Sequence, residues 1–102
     1  MNLKNKNIVI TSAVRTAIGS FCGSLKEMQA NDLGALVVKE AIKRSNLNSN
    51  DVDELIMGQV LTGAAGQNPA RQTAVQAGLP KEKTAYVINQ VCGSGLRAVA
   101  AG

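Results

Sequence analysis

The stretch Asn89-Gln-Val-Cys-Gly-Ser-Gly-Leu-Arg97 places a thiol, Cys92, between a short apolar run and a glycine-rich helix start. The first turn of a helix leaves N–H groups without partners and carries the positive end of the macrodipole, so a thiolate there is stabilised. Gly93 and Gly95 let backbone or substrate come close, and free N–H groups nearby can hold a developing oxyanion. Together these features suit acyl transfer through a thioester on sulfur. A plainer account makes Cys92 a small buried hydrophobe and the glycines an aid to tight packing. A third account is a dinucleotide-binding module, because Gly93-x-Gly95-x-x-Ala98 fits the G-x-G-x-x-G/A fingerprint. That fingerprint belongs at the first strand of a sheet, whereas here it follows the third predicted strand. The acidic residue it requires, about twenty positions on, falls past Gly102.

Other reactive groups have weaker settings. Cys22 lies in a loop between Ser20-Phe21 and Gly23-Ser24, with no second cysteine at metal-ligand spacing, and reads as a passive thiol. No metal site is expected. Arg15 and Arg71 sit beside apolar elements; each could reach a ligand, though a structural ion pair is the commoner outcome. Asn68 is accounted for by helix capping. The chain has no histidine, so the usual proton acceptor for a catalytic thiol is missing from it.

The elements that must position Cys92 follow from periodicity. Ile8-Val-Ile10, leading into Thr11–Val14, is a short β-branched run of the kind buried on both faces of a parallel sheet. Gly19 and Gly23 mark a loop after it. From Asn31, residues Leu33, Leu36, Val37, Ala41 and Ile42 fall on one helical face, with Asn31 or Asp32 as cap. Lys39, Lys43 and Arg44 near its end complement the dipole. The polar run Ser45–Asp51 stops the helix, since such side chains compete for backbone groups.

Leu55-Ile-Met57 reads as a second strand, Thr62–Gln67 as a loop, and Asn68-Pro69 as the start of a second helix closed by Gly78 and Pro80. Ala85-Tyr-Val-Ile88 is a third strand, and Leu96–Ala101 a third helix. The order β-α-β-α-β-α is that of an α/β fold whose mostly parallel sheet is covered by helices.

With 102 residues there is room for one small domain. The net charge of +4 comes from scattered residues, and Phe21 and Tyr86 are the only aromatics. A basic stripe with stacking rings is absent, which argues against a nucleic-acid partner. Met1–Asn7 lacks the apolar core of a leader, and no apolar run approaches membrane-spanning length. A cytoplasmic location with no membrane partner is the resulting expectation, and there two cysteines are expected to remain thiols.

Three blocks taken together resemble the thiolase family, in its order and spacing: Val14-Arg-Thr16, Gly66-Gln-Asn-Pro-Ala-Arg-Gln72 and Ile88-Asn-Gln-Val-Cys-Gly-Ser-Gly-Leu-Arg-Ala98. The similarity runs from about Ile8 to Gly102 and is nearer to acetyl-CoA acetyltransferases than to ketoacyl-carrier-protein synthases. Ala17, Cys22 and Gln90 depart from the family's usual proline, glycine and lysine. The resemblance implies a fold of two similar α/β halves packed back to back, of which residues 1–102 are an incomplete amino-terminal part ending inside the helix after Cys92. It implies homodimers or homotetramers of the full-length protein, with acetyl-CoA or acyl-CoA as substrate and no separate cofactor. Cys92 matches the acyl-accepting cysteine, and its N–H matches a donor to the thioester oxygen.

The Gly66–Gln72 block matches a region near the subunit interface and the rim of the active site. The family's histidine base, second cysteine and main CoA-binding loop belong to later parts of a longer chain. Residues 1–102 by themselves are therefore expected to be inert and to expose apolar surface. A stub that pairs with a full-length relative through the Asn68 helix is a further possibility.

Overall fold

The computed structural model describes residues 6–102. Of the Met1–Asn7 stretch read as lacking a leader's apolar core, all but the last two residues lie outside the described part. The elements run in the order α1 (Ala30–Arg44), a single 3-10 turn (Ser49–Asp51), β1 (Glu54–Gly58), α2 (Pro69–Gln76), β2 (Thr84–Ile88) and α3 (Ser94–Ala101). β1 and β2 pair in parallel, with Leu55 opposite Ala85, Ile56 opposite Tyr86 and Gly58 opposite Ile88.

Alternation along β1 decides what lies on each face of this sheet. Met57 reaches Gly34 of α1 and Thr73 of α2, for a Cβ on Gly34 would lie 2.8 Å from Met57 Cε and 3.0 Å from Thr73 Oγ1. Ile56 points the other way, toward the end of α3 at Gly102. Helices therefore cover both faces, α1 and α2 on one and α3 on the other. This is an α/β arrangement of the expected class.

The α1–α2 contact is built from small residues. Ala35, Ala70, Ala74 and Thr73 are buried, and Gly34 admits the closest approach. Ala35 was not on the face expected of α1, whereas Leu36, which was, is more than half exposed. The two neighbours of α1 explain the shift. α2 comes in over Gly34 and Ala35, while the Leu36 side looks onto an open cleft of about 230 Å³ shared with Val14, Arg15 and Thr16.

The ends of α1 also differ in detail from expectation. Its N-cap is Gln29, not Asn31 or Asp32, which lie inside the first turn; the Gln29 N–H donates to the Asp32 carboxylate at 3.2 Å. Its C-terminus closes through Asn46 in the left-handed region, with Leu47 N–H bonded back to Ile42 O at 3.2 Å. Asparagine tolerates that conformation because its short polar side chain bonds locally. Near the same end, Arg44 donates to Glu40 at 2.8 Å and holds that carboxyl below the ordinary carboxylate range.

α2 matches its sequence signals closely. Asn68 Oδ1 accepts from Arg71 N–H at 3.1 Å, Pro69 occupies the first turn, and Gly78, at φ 83°, ends the helix. The bond from Leu79 N–H to Ala74 O completes the Schellman closure.

The first strand is a correction. Ile8–Val14 is not part of the sheet; residues 6–20 have no regular secondary structure, and Ile8 and Ile10 are 89% and 82% exposed. A strand exists only through a backbone ladder to a neighbour. Here the segment is tied instead to the end of α1 by side chains. Ser12 Oγ donates to Ala41 O at 2.8 Å, and Thr11 Oγ1 meets Ser45 Oγ at 2.8 Å.

Candidate active site

Between the end of β2 at Ile88 and the start of α3 at Ser94 the chain makes one tight turn, and Cys92 stands on it, exposed and unpaired with Cys22. Placement at a strand-to-helix turn agrees with the reading of Cys92 as a presented thiol. Among the described residues nothing packs over the sulfur as it would over a buried side chain.

The turn is held by side chains on either side of Cys92. Asn89 Oδ1 accepts from Val91 N–H at 2.9 Å. Ser94, 4% exposed, accepts from Gln90 N–H at 2.8 Å through Oγ and donates to Val91 O at 2.6 Å. Gln90 Oε1 accepts from Arg97 Nε at 2.7 Å, which fastens the turn to the next helical turn. Among the described residues, the backbone of Cys92 is bridged to Gln90, while the N–H groups of Gly95 and Leu96, in the first turn of α3, make no hydrogen bond. These are the free donors that the start of a helix is expected to offer.

Val91 has φ 48°. A β-branched residue in the left-handed region is strained and persists only where its surroundings fix it. The strain lies one residue before the thiol.

Gly58 sets where this turn sits, and no local pattern in the sequence marked it out. A Cβ at Gly58 would lie 2.4 Å from Ser94 C and 2.5 Å from Gly95 N, so the end of β1 and the first turn of α3 touch backbone to backbone. In the full-length protein Gly58→Ala is expected to push α3 off the sheet and to destabilise the fold by about 1–3 kcal/mol, the usual cost of overpacking. Gly63, whose Cβ position meets nothing within 4 Å, is the control. A wild-type thermal midpoint for Gly58→Ala, or an equal loss for Gly63→Ala, would refute the assignment.

The remaining candidates are structural. Arg71 donates to Lys83 O at 2.9 Å and to Lys81 O at 2.7 Å, so its partners are the carbonyls leading into β2 and not the carboxylate of an ion pair. Arg15 donates only to the neighbouring Thr16 O, at 3.0 Å, on the surface. Asn68 adds to its capping bond a second one from Nδ2 to Ala85 O at 3.0 Å. Gln72 Nε2 pins the preceding loop at Ala65 O and Gln67 O. Cys22, also at positive φ, lies in an exposed turn. No group of three or more His, Cys, Asp or Glu side chains among the described residues is arranged to hold a metal ion, and no helix among them is long and apolar enough to cross a membrane.

The dinucleotide alternative is not favoured, because the comparisons with known proteins place the same turn in another family.

Comparison with known proteins bears on the same region. The model of the thiolase N-terminal domain matches residues 8–102. The chain is 55% identical over 100 residues to an acetyl-CoA acetyltransferase of Rhizobium meliloti, covering 98% of this chain and 25% of that one. It is 57% identical over 95 residues to an acetyl-CoA acetyltransferase of Escherichia coli, covering 93% and 24%. The crystal structure of Acat5 thiolase from Ascaris suum in complex with coenzyme A matches with a TM-score of 0.90 and 47% identity, over 91% of this chain and 24% of that one. The chain thus spans about a quarter of the length of the curated relatives it matches. With nearly its whole length matched and the fold shared at this level, the chain belongs to the thiolase family, through that family's N-terminal domain.

Proposed function

We propose that residues 1–102 are the amino-terminal part of a longer acetyl-CoA acetyltransferase in which Cys92 carries the acyl group. In this reading Cys92 sulfur attacks the thioester carbonyl of acetyl-CoA, a carbon–sulfur bond forms, and the coenzyme A thiolate leaves. The enolate of a second acetyl-CoA then attacks the acetyl-cysteine, and the Cys92 thiolate departs from acetoacetyl-CoA. Cleavage runs the same steps backwards. The histidine base, the second cysteine and the loop for coenzyme A come from the rest of the longer chain, which we take to form homodimers or homotetramers in the cytoplasm. Acyl-CoA thioesters are substrates, and no further cofactor is assigned. A role in fatty acid metabolism follows from that substrate class.

One observation supports the reading above the others. An exposed thiol stands on a tight turn after a parallel strand, beside two N–H groups at a helix start that have no partner. Such donors stabilise the oxyanion formed when a thioester is attacked.

Mass spectrometry of the full-length protein after brief exposure to acetyl-CoA tests it. A single acetyl adduct on the peptide containing Cys92 is expected, discharged on addition of coenzyme A. Acetylation spread over lysines, with none on Cys92, would overturn the proposal.

A further inference from the structure

We propose that Asn89 is a positioning residue that holds Val91 in its left-handed conformation and thereby fixes how the turn presents Cys92. The inference rests on the reading of Cys92 as the acyl carrier.

Val91 is the strained member of the turn, at φ 48°. A valine released from its partners relaxes to negative φ, because its branched side chain crowds the backbone in the left-handed region. Both of its backbone polar groups are occupied. The N–H is taken by Asn89 Oδ1 at 2.9 Å, and the carbonyl accepts from Ser94 Oγ at 2.6 Å and from Ser94 N–H at 3.1 Å.

Ser94 belongs to α3 and moves with it. Asn89 lies outside that helix, with Ser94 Oγ 3.5 Å from its Oδ1, and its other end is anchored elsewhere: Nδ2 donates to Val60 O at 3.2 Å, just beyond β1. One side chain therefore spans from the segment after β1 to the strained residue before the thiol. That anchor lies two residues past Gly58, the last residue of β1, which seats the start of α3. Asn89 and Gly58 thus locate the turn from two directions, one by a tether and one by contact.

If Asn89 acts through Val91, removing the strain should remove the need for Asn89. Glycine adopts positive φ without steric cost. The experiment measures, in the full-length protein, the rate of Cys92 alkylation by iodoacetamide and the rate of its acetylation by acetyl-CoA. The variants are Asn89→Ala, Val91→Gly and the double variant, each with its thermal midpoint. Asn89→Ala is expected to slow both reactions about tenfold, as loss of a geometry-fixing hydrogen bond does, with little change in midpoint. On the Val91→Gly background the same substitution is expected to change both rates less than threefold.

Wild-type rates for Asn89→Ala, or an equal loss on both backgrounds, would overturn the proposal. Where Asn89→Ala alone does not fold, a wild-type melt for the double variant supports it, and continued failure to fold overturns it. Alkylation does not depend on acyl-CoA chemistry. A wild-type protein that is alkylated at Cys92 but never acetylated would sink the functional reading, while the alkylation rates alone still decide the role of Asn89.

Discussion

Cys92→Ser in the full-length protein is expected to erase the acetyl adduct and to lower turnover by roughly a thousandfold or more, with the thermal midpoint unchanged. Both halves of that expectation follow from where the sulfur stands. Cys92 is exposed and its side chain makes no hydrogen bond, so the near-isosteric replacement breaks nothing that holds the fold. Chemistry is another matter, because a hydroxyl ionises far less readily than a thiol and needs a base to become a nucleophile. The chain has no histidine, and none of the hydrogen bonds in the turn places a basic side chain on Cys92. Cys22→Ser supplies the control, since that thiol sits on a separate exposed turn. An adduct that persists in Cys92→Ser, or one that disappears in Cys22→Ser, would reassign the acyl carrier.

The site was partly legible in the sequence because its signals are local. A β-branched run, a cysteine, two glycines and an Ala-rich segment specify strand, turn and helix within about fifteen residues, and β2, the turn and α3 appear where that order places them. α2 was legible for the same reason, with Asn68-Pro69 and Gly78 as its punctuation. Gly58 was not. Its importance lies in the approach of Ser94 and Gly95, thirty-odd residues away, and a glycine at the end of a strand looks like the start of any loop. Asn89 and Ser94 stood within the recognised stretch, but their roles depend on the strained φ of Val91, which residue type alone would have argued against.

The two misreadings elsewhere have a common origin. Leu36 and the Ile8–Ile10 run carry the right hydrophobicity for burial, yet burial also requires a partner, and α2 packs over Gly34 and Ala35 instead. Hydrophobic period identifies a face; which neighbour covers it is a tertiary fact.

That shortage of partners yields the other large expected effect. Residues 1–102 expressed alone are expected to melt without a cooperative transition, to elute as large species, and to show no turnover of acetoacetyl-CoA with coenzyme A. The buried apolar residues among those described are Ala35, Pro69, Ala70, Ala74, Ala77 and Leu79, four of them contributing a single methyl each. A buried methyl or methylene stabilises by about 0.8 kcal/mol, whereas ordering one residue's backbone costs about 1–2 kcal/mol. Meanwhile Ile8, Ile10, Phe21, Leu96 and Val99 stand largely in solvent, Phe21 at 99%.

Both strands of the pair also keep an open edge, and an uncovered edge beside apolar surface promotes association. A sharp melt together with a monomeric elution volume would contradict this half of the expectation. The catalytic half stands apart from it. A folded fragment would still have no histidine to take a proton during acyl transfer, so it could be alkylated at Cys92 and yet fail to turn over. Measurable turnover by the isolated chain would mean that some other group in these 102 residues moves that proton, and the division of labour proposed between this segment and the rest of the protein would fail.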